Sequence, residues 1–79
     1  MSTDKVKYLL QMILRGITET DIEINIKETS DLIIVEIKPD CVTLTKWIIG
    51  KNGETIKAIR RIFETMSHTI KKKIHIEVL

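Results

Sequence analysis

The chain has one cysteine, one proline, one tryptophan, one tyrosine and one phenylalanine in 79 residues, and each scarcity excludes something. A lone cysteine, Cys41, forms no internal disulfide, and with two scattered histidines it makes no metal-ligand set. Cys41 is expected to act as a buried or half-buried small hydrophobe, and the pattern suits a reducing cytoplasm. No apolar run exceeds four residues, far short of the roughly 20 needed to cross a bilayer. The opening MSTDKVKYLLQMI carries charges and no uninterrupted apolar core, so no signal peptide is expected. No histidine–carboxylate pair or nucleophile–base arrangement stands out. A chain this short buries only roughly 60% of its unfolded surface, which leaves little room for a deep pocket. Enzymatic activity, a cofactor and a small-molecule substrate are therefore not expected, nor is a membrane partner. With no linker, repeat or low-complexity segment, residues 1–79 read as one domain.

What is present is an ordinary globular composition, 43% hydrophobic and 30% charged, with an uneven charge. Residues 1–40 hold 5 Lys/Arg against 8 Asp/Glu, a net of −3. Residues 41–79 hold 8 against 3, a net of +5, which directs attention to anionic partners of the second half.

Periodicity gives the elements. Val6, Leu9, Leu10, Ile13 and Ile17 recur at helical spacing across residues 4–17. Ser2, Thr3 or Asp4 is the expected cap of this helix and Gly16 its stop. Ile22, Ile24 and Ile26 alternate with Glu23, Asn25 and Lys27, and Ile33, Val35 and Ile37 repeat the pattern after the turn residues 29–31. Two such strands predict an antiparallel hairpin. Pro39 ends it, and Asp40 or Thr43 is expected to cap a short helix running to Ile49. Ile56, Ile59, Ile62, Phe63 and Met66 trace another helix, ending near His68. Ile74, Ile76 and Val78 alternate in a last strand. A right-handed crossover sets that strand parallel to the second and beside it. The expected fold is α+β in the order α-β-β-α-α-β. Its three-stranded mixed sheet carries all three helices on one face. Glu23, Asn25, Lys27, Ile34, Glu36, His75 and Glu77 are left on the other.

Between the second and third helices lies WIIGKNGETIKAIRRI, residues 47–62, with two glycines three apart. Glycine permits positive φ and close backbone approach, and the helix that follows offers free N–H groups and a positive dipole end to an anion. A plain turn fits the spacing equally well. A P-loop does not, because the lysine follows the first glycine instead of closing a G-K-[ST] sequence.

The stretch IIGKNGETIKAIRRI resembles the signature of the KH domain: two aliphatics, G-x-x-G, then an aliphatic-spaced helix. Gly50 and Gly53 fall on the glycines, Ile48 and Ile49 on the aliphatics before them, and Ile56 and Ile59 on the helix positions after. The element order is that of a type II (prokaryotic) KH fold, and the chain is most similar to the small bacterial KhpA-type proteins. It departs from them at Lys46 and Trp47, where a glycine and then a basic residue are common, and at the acidic Glu54.

The resemblance implies an RNA-binding protein of the bacterial cytoplasm, acting as an RNA chaperone on about four single-stranded nucleotides. Gly50, Lys51, Asn52 and Gly53 would clamp the backbone. One of Ile48 and Ile49 would line the groove while the other enters the core, and residues 73–79 would form the far wall. Lys57 and Arg60 would catch further phosphates, and Lys46, Trp47 and Lys72 are further candidates. Trp47 is expected to pack between the short helix and the sheet, the alternative being a partly exposed stacking surface. Tyr8 and Phe63 are expected in the core. The family further implies pairing with itself or with a larger KH-containing protein of the KhpB (Jag) type. A second reading keeps the KH fold as a protein-binding adaptor with incidental nucleic-acid binding.

Overall fold

The structure, a computed structural model, describes residues 2–79. Helix α1 spans Ser2–Thr18 and buries Val6, Leu10 and Leu14 completely, with Leu9, Ile13 and Ile17 packed beside them. Ser2, Thr3 and Asp4 already lie inside this helix, so its cap falls outside the described residues. Gly16 does not stop it. The inward side continues through Ile17 to the buried Thr18, whose hydroxyl donates to the Leu14 carbonyl at 2.9 Å. The chain turns only at Glu19, at φ +60°, with its N–H donating to the Arg15 carbonyl. Beyond this turn, the Gln11 side-chain amide pairs with both backbone groups of Ile22, at 2.9 and 3.2 Å, and moors α1 to the start of the sheet.

Strands β1 (Glu23–Glu28) and β2 (Leu32–Lys38) form the expected antiparallel hairpin, with Ile24 opposite Ile37 and Ile26 opposite Val35. Helix α2 spans Val42–Ile49 and helix α3 spans Glu54–Ile70, separated by the short 3-10 turn Lys51–Gly53. Strand β3 (Lys73–Val78) runs parallel to β2, with Ile33, Val35 and Ile37 opposite Ile74, Ile76 and Val78. The strand order is β1-β2-β3, as the crossover argument requires. Those six residues and Ile24 and Ile26 form the sheet side of the core, against Val6, Leu10, Leu14, Ile48, Ile56, Ile59 and Phe63 of the helices. On the opposite face Lys27 lies 3.8 Å from the Glu36 carboxylate, and His75 lies 3.0 Å from that of Glu77.

Several expectations fail for local reasons. Cys41 is exposed, because it holds the N-cap position of α2 in an extended conformation, outside the packed layers. It makes no side-chain cap, and neither Asp40 nor Thr43 takes that position. Helix α3 runs past His68 to Ile70 and closes on Lys71 at φ +61°. Ile62 (47% exposed) and Tyr8 (69% exposed) lie outside the core. Ile62 sits about 100° around its helix from buried Phe63, and Tyr8 about 200° from buried Val6 and Leu10, so both fall off the narrow inward stripe.

Candidate nucleic-acid interface

The backbone at residues 50–53 turns three times through positive φ: Gly50 at +79°, Asn52 at +58° and Gly53 at +72°. The two glycines are there for different reasons. Gly50, with ψ 172°, occupies a region essentially closed to other residues. A Cβ on it would fall 2.6 Å from Thr55 Cβ and 2.9 Å from the Thr55 backbone nitrogen. Gly50 thus lets the end of α2 press against the first turn of α3. Gly53 sits in the left-handed helical region, and a Cβ there would meet nothing within 4 Å. Space at Gly53 is open, which is what the approach of another molecule requires.

Three backbone bonds hold the loop in shape. Gly50 N–H donates to Lys46 O, Gly53 N–H to Gly50 O and Glu54 N–H to Lys51 O. Gly53 offers α3 no side-chain cap, so no side-chain acceptor competes for the first-turn amides of this 17-residue helix. Lys51 and Asn52 are exposed, and Lys46, Lys51 and Lys57 take part in no ion pair among the described residues. Ile48 enters the core completely, while Ile49 stays half-buried at its margin.

The remaining candidates separate. Lys57 and Arg60 lie four and seven residues beyond Gly53, about 6 and 10 Å along α3. The guanidinium of Arg60 reaches across to β3, with Nε and Nη2 donating to the Ile76 carbonyl at 3.2 and 3.1 Å. From Arg60 a groove of about 910 Å³ follows the α3–β3 seam past Glu64 and His68 to Lys71. Lys72 does not join the loop. It stands at the far end of α3, about 25 Å away, where its ammonium binds the Glu28 carboxylate and the Thr29 carbonyl and ties β3 to the hairpin turn. Trp47 is 52% exposed, because Ile48 takes the inward position on α2. The packed tryptophan expected between helix and sheet is not found.

The loop also borders a second hollow, of about 510 Å³, between the ends of α1 and α2. Lys46, Trp47 and Lys51 lie along one wall, Gly16 and Glu19 along the other. Neither the hollow nor the Glu19 turn beside it has a signature that periodicity could reveal.

A sequence model of the KhpA/KhpB KH domain matches residues 3–78. The chain belongs to this family. No curated protein and no solved structure matches it. Within the KH domains its order of elements and mixed three-stranded sheet are those of type II. KH domains bind nucleic acid, generally without enzymatic activity, and RNA binding is the activity that membership implies. Residues 50–53, Gly-Lys-Asn-Gly, lie within the matched stretch, between α2 and α3.

Proposed function

We propose that this KH domain grips about four nucleotides of single-stranded RNA, with residues 50–53 clamping the sugar-phosphate backbone. The observation that carries the reading is the open space at Gly53 beside the exposed Lys51 and Asn52, at the N-terminus of α3. A phosphate placed there gains charge-assisted hydrogen bonds from amides and from the Lys51 ammonium, roughly twice as strong as neutral ones. Ile49 offers an apolar edge to a base, and Lys57 and Arg60 supply cations for the strand as it passes toward the α3–β3 groove. Four nucleotides make a small footprint, so useful affinity calls for a second module. We accordingly propose that the domain works as a homodimer, or with a KhpB-type partner, as an RNA chaperone in the cytoplasm.

The test is the double variant Lys51→Asp/Asn52→Asp. Aspartate tolerates the left-handed conformation of position 52 and suits a helix N-terminus, so the thermal midpoint should stay near that of the wild type. Binding to a short unstructured RNA should fall below detection. Unchanged affinity would remove the clamp reading. It would favour the adaptor alternative, in which a protein partner survives complete RNase digestion.

A further inference from the structure

The hollow between α1 and α2 lies outside the α3–β3 groove and shares no lining residue with it. At about 510 Å³ it falls within the roughly 300–1,000 Å³ typical of sites that take a small organic ring system. Three features give it a chemical character. First, Trp47 borders it with half its surface open, so the indole is available as a stacking face. Second, the opposing wall is bare at Gly16, where a Cβ would meet nothing within 4 Å, so a flat ring has room in front of the indole. Third, the charges are divided. Lys46 and Lys51 lie on the α2 side, and Glu19 and the carbonyl end of α1 on the other, none of the three in an ion pair among the described residues.

That division matches a nucleotide. Its base has a π face for the indole and N–H donors at its edge for the acceptors of the α1 end, and its phosphates suit the two ammonium groups. A lone anion would have no use for the tryptophan, and a cation would meet two lysines. Gly50 and Lys51 belong to both the G-x-x-G loop and this hollow, so a strand held by the loop arrives directly at it. We infer that the α1–α2 hollow is a second nucleotide site, in which a base flanking the clamped tetranucleotide stacks on Trp47 between Lys46 and Lys51. The inference rests on the clamp reading above and extends the footprint of the domain past the loop. It also gives a purpose to the exposed Lys46 and Trp47.

Because Trp47 is the sole tryptophan, its fluorescence reports the site directly. Uridine and adenosine oligomers of four and eight residues are titrated, following fluorescence and the anisotropy of a labelled RNA. The eight-mer should quench Trp47 and bind tighter than the four-mer by more than overlapping registers give by counting. Trp47→Ala should lower eight-mer affinity about tenfold, in the range of one lost base–aromatic stack, and Trp47→Phe should restore most of it. Gly16→Leu, which reaches into the hollow from the opposite wall, should abolish the extra gain of the eight-mer and leave four-mer affinity as it was. The urea midpoint of each variant confirms folding. Full eight-mer affinity in both Trp47→Ala and Gly16→Leu overturns the second site, as does a Trp47→Ala loss that is equal for the two lengths. If Lys51→Asp/Asn52→Asp abolishes binding while those two variants bind normally, the hollow fails and the clamp stands. If the eight-mer still quenches Trp47 in the double aspartate variant, the clamp fails and the hollow stands alone.

Discussion

Gly50 and Gly53 look interchangeable in a motif, yet the structure gives them separable duties. Gly50→Ala forces a Cβ onto the Thr55 backbone and holds alanine at positive φ. Together these should cost at least about 2 kcal/mol, read as a lower urea midpoint. Gly53→Asn keeps a left-handed conformation that asparagine already accepts at position 52, and should cost within about 1 kcal/mol. Its side chain nevertheless occupies the open space. RNA affinity should drop about tenfold or more, the worth of one charge-assisted hydrogen bond. A Gly53→Asn protein as active as the wild type would show that nothing needs that space. At this scale the sequence was legible in kind but not in role, because G-x-x-G spacing records that two residues lack side chains and not what each would collide with. The exposure of Trp47 was hidden for a related reason. Ile48 and Trp47 are both apolar, and only the packing of α2 decides which turns inward.

At the scale of elements, periodicity found every helix and strand, and it failed at their ends. Helix α1 shows why. Glycine is the usual C-terminal signal, but two further inward residues and the Thr18 hydroxyl outweigh its roughly 1 kcal/mol penalty, and the left-handed position passes to Glu19. Gly16 is therefore an interior helical glycine with no steric need to be one. Gly16→Ala should stabilise the domain by about 0.5–1 kcal/mol, measured by urea denaturation. An unchanged or lower midpoint would mean that the last turn of α1 frays in solution. The same limits of pattern explain Cys41 and Lys72. A cap without a side-chain bond has no residue preference to read, and a lysine bound across 44 positions to Glu28 leaves no local trace.

Seen whole, the molecule divides its charge between its two halves. The acidic half forms α1 and the hairpin, and the basic half carries the loop, α3 and β3. Under the proposed clamp, two to four phosphates contacted by Lys51, Lys57, Arg60 and their neighbours predict a slope of about −1.5 to −3 in log affinity against log salt. A slope near −5 would instead mean that the strand runs the length of α3 to Lys71 and Lys73. The sheet order was readable from the sequence because a two-helix crossover leaves one sensible place for β3, whereas the hollow between α1 and α2 was not, being made by elements about 30 residues apart.

That order leaves β3 at the margin of the sheet, and the Arg60 guanidinium then acquires another meaning. The N–H groups of Lys73 and Leu79 donate toward the β2 side, to Asp31 and Ile37, so the Ile76 carbonyl points the opposite way, along the margin. An open margin of this kind is a template on which another chain can add a strand, the usual beginning of aggregation. Arg60 occupies the middle of that template with a bulky charged group and two hydrogen bonds. While it does so, the Ile76 carbonyl is not open to an added strand. The residue that lines the α3–β3 groove thus also blunts the open side of the sheet.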